Sequence, residues 1–191
     1  MILGPIAKSP REVRVWVGEV PWHLATGGPI TAMLPCTASP KTERETSLAV
    51  EMKIDMSPSF IYGLLGGTFR GDKSGTFEPS MWVTETKEGV FHDSLMRSFD
   101  LVHWTFPREF AEAALKAVTR QTHRPSGMLE INCAACSRIG SNQVIFACLA
   151  QVLMLAISER LEAPQIVDAA FAQKISDALA MLTEAGDTHD G

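Results

Sequence analysis

Apolar and polar residues alternate most cleanly over 46–56. Leu48, Val50, Met52, Ile54 and Met56 take one phase, and Ala49, Glu51, Lys53 and Asp55 take the other. A period of two is the repeat of a strand with one face on a core and the other in water. Residues 12–18 repeat it, with Val13, Val15 and Val17 on one face and Arg14 and Trp16 on the other. Residues 81–86 and 90–92 read as hairpin arms around Lys87-Glu88-Gly89, and 101–106 and 128–131 as further short strands.

Between these strands the punctuation changes. Residues 21–41 hold four prolines and two adjacent glycines, which reads as a long loop. Ser57-Pro58 reads as a helix start, because serine caps free backbone N–H groups and proline fits the first turn. A short helix is expected over 60–65, with Gly66 ending it. The stretch 66–75, rich in glycine, then reads as a loop.

Beyond residue 106 the period becomes helical. Pro107 opens a helix to about Gln121, with Phe110, Ala114, Ala117 and Val118 as its apolar stripe. A helix over 141–161 is apolar nearly all round, and Pro164 interrupts it. The last helix is expected over 165–184, with Val167, Ala170, Phe171, Ile175, Ala178, Leu179 and Leu182 as its stripe. Strands first and helices later predict an α+β fold. The expected plan is one domain over 1–191. A small, mostly antiparallel sheet occupies 1–106, three main helices over 107–185 pack on one of its faces, and a frayed tail covers 186–191.

Length and composition narrow the partners. A chain of 191 residues with 46% apolar and 20% charged residues can build a core without metal or disulfide staples. Net charge is −5, and the densest basic stretch, 120–124, reads as a solvated helix end, so no nucleic-acid partner is expected. The start of the chain has neither a basic segment nor an apolar run, which predicts a cytoplasmic protein with its four cysteines reduced. The longest apolar run, 144–157, is broken only by Gln151 and falls short of the ~20 residues a membrane span needs. No membrane association is expected. A helix apolar on every side must be covered on every side, which predicts a homo-oligomer.

Candidate chemistry centres on Cys133-Ala-Ala-Cys136. Read between the strand at 128–131 and the helix at 141–161, the pair suits a disulfide, a thiolate activated by a helix N-terminus, or half a metal site. Catalytic candidates are Cys133, Cys136 and His92, the last beside Asp93 at a strand end. Metal candidates are Cys133, Cys136 and His103, with zinc as the ion. The competing reading is two small cysteines in a tight junction. Two helices follow the pair, where thioredoxin-like proteins need further strands and a cis-proline loop. Asn132 stands where zinc-dependent deaminases need proline.

The stretch 66–75 misses P-loop spacing, since Asp72 separates Gly71 from Lys73-Ser74. Arg70 and Lys73 remain candidates for an anion contact. Trp82 and Trp104 are candidates to line a ligand pocket with Tyr62, Phe91 and Phe99. Two functions compete. The first is a non-enzymatic small-molecule- or protein-binding module that self-associates. The alternative is an enzyme with a thiol or metal site at Cys133 and Cys136, assisted by a histidine.

Overall fold

A computed structural model describes residues 1–8, 10–21, 27–37, 43–86, 88–96, 100–164 and 168–186. Phe99 and Val167, both expected to be apolar contacts, lie outside these residues. The chain is α+β, as its periodicity predicts. Among the described residues its sheet has nine strands: β1 (Ile2–Lys8), β2 (Arg11–Val17), β3 (Pro29–Thr31), β4 (Leu34–Pro35), β5 (Glu45–Met56), β6 (Ser59–Gly71), β7 (Thr76–Trp82), β8 (Val102–Trp104) and β9 (Gly127–Ser137). The strand order is β1-β2-β5-β6-β9-β7-β3, with β4 also on β7 and β8 also on β9. Every pairing is antiparallel except β7 with β9. The connection between those two carries β8 and helix α1 (Arg108–Thr119).

The alternating strands form where read, with their apolar phase towards the helices, but the phase expected in water is covered too, since Trp16, Ala49 and Glu51 are buried. Val13, Val15 and Val17 of β2 and Leu48, Val50, Met52 and Ile54 of β5 share one core with the helices. Over this face lie α1, α2 (Gln143–Glu162) and α3 (Ala169–Gly186). Helix α2 sits on β5 and β6, with α1 on one flank and α3 on the other. Asn142 caps it by accepting the Ile145 N–H at 3.0 Å. Ten α2 residues, Phe146 and Leu149 among them, are buried. The all-round apolar character therefore finds its cover mainly inside the chain, in the sheet and two neighbouring helices. Among the described residues α2 is also the one helix long and apolar enough to cross a membrane by length and composition.

Three local expectations are corrected. Residues 60–65 are not a helix but part of β6, which pairs with β5 from Met56↔Ser59 to Glu45↔Arg70. Ser57-Pro58 is the turn between them, because serine and proline serve a tight turn as readily as a helix start. Of the loop expected over 66–75, residues 66–71 instead continue β6, and only 72–75 form the connection to β7. A Cβ on Gly66 would collide with the Ala49 side chain, and one on Gly67 with the Glu130 carbonyl. These glycines mark close backbone approach inside a sheet. Finally, 81–86 and 90–92 do not pair with each other. Thr84 bridges to Phe106 and Val90 to His103, so both flanks of this stretch join the segment around β8.

Strand β1 escapes a periodicity reading, since its short Ile-Leu-Gly-Pro run alternates poorly. It is an edge strand, where proline is tolerated. Strand β9 runs on through the cysteine pair and contains a bulge. Gly66 pairs with Cys133 but Gly67 with Ile131, which leaves Asn132 as the extra residue. The bulge inverts the alternation. Leu129 and Ile131 face the helices, Cys133 faces away, and Ala134, Ala135 and Cys136 resume the two-residue rhythm from there.

Candidate functional site

The helix-free face of the sheet is not simply open to water. A second apolar cluster lies on it, made of Trp16, Ala49, Tyr62, Leu64, Phe91, Met96, Val102, Cys133 and Ala135. Residues 91–96 supply its outer layer. Phe91 packs on Trp104 at 4.6 Å between ring centroids, and its N–H donates to the Val102 carbonyl. Leu95 and Met96 are each 1% exposed.

Inside this cluster sits Glu51, with no solvent exposure. Its place follows from the alternation in β5, which turns it away from the helices. Its Oε1 accepts the Tyr62 hydroxyl at 2.8 Å and the Leu95 N–H at 2.8 Å. Oε2 has no hydrogen-bond donor and lies 3.6 Å from Arg14 Nε. Arg14 continues outward: its Nη1 donates to the Asp93 carbonyl at 2.7 Å and reaches the Asp93 carboxylate at 3.2 Å. The guanidinium also lies 5.2 Å from the centroid of the Trp16 ring.

Burial dominates the electrostatics. It pushes the Glu51 carboxyl up to about 7, against the opposing pull of the Leu95 N–H, Arg14 and the Tyr62 hydroxyl. The Tyr62 hydroxyl is raised too, first by burial and then by the Glu51 charge. Next to this group lies an open groove of about 530 Å³ lined by Lys53, Asp55, Ser57, Pro58, Ser59, Phe60 and Met96.

The cysteines do not form a joint site. Cys133 and Cys136 are three residues apart on a strand, so their side chains leave opposite faces. The expected strand–helix junction is thus corrected to a strand interior, and the pair is set neither for a disulfide nor for shared metal ligation. Cys133 Sγ donates to the Pro21 carbonyl at 2.7 Å, and Cys136 Sγ to the Thr105 carbonyl at 3.3 Å. Burial pushes both thiols up, which opposes thiolate formation. Among the described residues, no three His, Cys, Asp or Glu side chains converge as metal ligands.

Other candidates scatter. His103 pairs with Cys136 across β8 and β9, and both line a cleft of about 250 Å³ with Glu85, Phe110, Arg138 and Ser141. His92 is exposed in a turn and lines neither opening. Arg70 is held between Glu45 at 3.0 Å and Glu130 at 3.4 Å, and Lys73 lies 3.2 Å from Glu43. Tyr62, Phe91 and Trp104 do meet, in the second cluster, but Trp82 stands apart on β7 with its indole N–H buried and unpartnered.

The sequence reading missed Glu51 as a site residue. A signal was present, since the phase that carries Glu51 and Arg14 also carries Ala49 and Trp16, too apolar for a solvated face. Comparison with known proteins gives no match, whether to family models, to curated sequences or to solved structures.

Proposed function

We propose that this chain is a small-molecule-binding module whose ligand lies in the groove between the β5–β6 turn and Met96. The observation that carries the reading is the groove itself. Its volume of about 530 Å³ falls in the range of roughly 300–1,000 Å³ that small-molecule sites occupy. Its lining combines apolar surface from Pro58, Phe60 and Met96 with the hydroxyls of Ser57 and Ser59. Lys53 and Asp55 at its rim neutralise each other at 3.0 Å. That pairing favours an uncharged, partly apolar ligand over an ion.

The competing enzymatic reading has one geometric support, the meeting of His103 and Cys136 in the smaller cleft. Against it stands a thiol that is buried, raised and already donating to a carbonyl.

The test is a fragment screen by amide chemical-shift mapping. Uncharged fragments are expected to move the amides of Ser57, Ser59 and Met96, and Phe60→Ala is expected to weaken them at least tenfold. A screen at millimolar fragment concentration that leaves these three amides unmoved would overturn the reading.

A further inference from the structure

We propose that the cleft between β8 and the start of α1 is a second binding site, built for a small zwitterion of the free amino-acid class. Its volume of about 250 Å³ falls just below the roughly 300–1,000 Å³ of drug-sized sites, which suits a ligand of that size. It shares no lining residue with the groove at the β5–β6 turn. Cys136 belongs to the helix-side core, and His103 stands opposite it on β8, so both side chains leave the sheet on that face. Pro107 and Phe110, from the start of α1, add apolar surface. The Phe110 ring is held there by stacking on Phe146 at 5.2 Å between centroids.

The charges on the lining decide the ligand class. Glu85 enters from the segment that follows β7, and Arg138 from the turn that follows β9. The chain around β8 runs between them, since Thr84 bridges to Phe106 and His103 pairs with Cys136. The two roots therefore stand about two strand spacings apart, roughly 10 Å, within reach of one ligand for side chains this long. Among the described residues Glu85 and Arg138 do not pair with each other. Arg138 is engaged through its backbone N–H, which donates to the Asp100 carboxylate at 3.1 Å, and its guanidinium has no partner there. Glu85 meets Arg108 at 3.9 Å, with both side chains more than half exposed, and such a pair yields readily to a ligand. The nearby hydroxyls are already spent: Ser141 donates to the Tyr62 carbonyl and Thr105 to the Thr84 carbonyl. The cleft thus offers a cation on one side and a carboxylate on the other, with an imidazole and an aromatic ring on its lining. A ligand carboxylate fits the guanidinium fork, an ammonium on the same ligand meets Glu85, and an apolar side chain lies on Phe110. A simple anion would be opposed by Glu85, and a simple cation by Arg138.

Amide spectra of the full chain titrated with L-leucine, N-acetyl-L-leucine and L-leucinamide test it. L-Leucine is expected to move the amides of His103 and Arg138 and to leave that of Met96, in the other groove, in place. Removing either charge from the ligand should weaken binding about tenfold, the order of one hydrogen bond to a charged group. Arg138→Gln should weaken L-leucine to a similar degree and leave L-leucinamide unchanged. Glu85→Gln should weaken L-leucine and leave N-acetyl-L-leucine unchanged. Both positions are exposed, so both variants should keep the Tm of the unmodified chain. Amides of His103 and Arg138 that stay in place with L-leucine at tens of millimolar would overturn the proposal. So would N-acetyl-L-leucine binding as tightly as L-leucine, which would mark a site for a simple anion, or L-leucinamide doing so, which would mark one for a cation.

Discussion

Replacing Glu51 by glutamine should change how stability depends on pH. Glutamine keeps the shape and keeps an acceptor for Tyr62 and Leu95, but it cannot ionise. The native carboxyl binds its proton up to about pH 7, whereas the unfolded chain releases it near 4.5. Between those values the native state holds more protons than the unfolded state, so stability falls as pH rises. The contribution is fully present below 4.5 and is lost by about pH 7. From pH 5 to pH 8 the linkage amounts to about 2.5 kcal/mol of stability lost by the unmodified chain and not by the variant. For a chain of this size that corresponds to roughly 5–10 °C in Tm. The assay is urea or thermal unfolding of both proteins at half-unit steps over this range, taken as the difference between them so that other carboxylates cancel. Parallel curves would refute the reasoning, because they would mean that Glu51 ionises as easily in the fold as out of it.

Other expectations follow from the same geometry. The thiols of Cys133 and Cys136 should react with an aromatic disulfide reagent only after unfolding in urea; fast native labelling of either would contradict their burial. Gly66→Ala should destabilise by about 1–3 kcal/mol, the usual cost of overpacking, since the new methyl meets Ala49 across the β5–β6 ladder. Phe146→Ala should cost about 3–5 kcal/mol in urea unfolding, because this ring is fully buried and packs on both Phe106 and Phe110. Asn142→Ala should remove about 1 kcal/mol by leaving the Ile145 N–H uncapped.

The strand faces of β2 and β5 and helices α1 and α3 are legible from periodicity, because each presents one continuous stripe to a common core, whereas α2 is legible from its long, nearly unbroken apolar run. What periodicity cannot carry is anything decided by a distant segment. Glu51 sits in the polar phase of its strand, and only residues 44 positions downstream determine that this phase is covered. Ser57-Pro58 has the chemistry of a helix start and of a turn alike, and the choice is made by β6 finding β5 as its partner. The cysteine pair looks convergent when drawn on a helix and divergent on a strand, so its meaning hung on the element assigned to it. The inverted alternation at Asn132 adds a further shift that no fixed period describes.

The placement of β9 has a consequence for biosynthesis. This strand lies between β6 and β7, yet it is made after both, with about 45 residues separating it from the end of β7. Until it emerges, β6 and β7 each present an unpaired edge of backbone N–H and C=O groups, the kind of surface that recruits strands from other chains. A ribosome-bound fragment ending before residue 127 would therefore be adhesive, and a slowed ribosome in the 83–126 stretch would prolong that state. High-level expression should accordingly lose material to inclusion bodies at the stage of synthesis, even where the finished chain is stable.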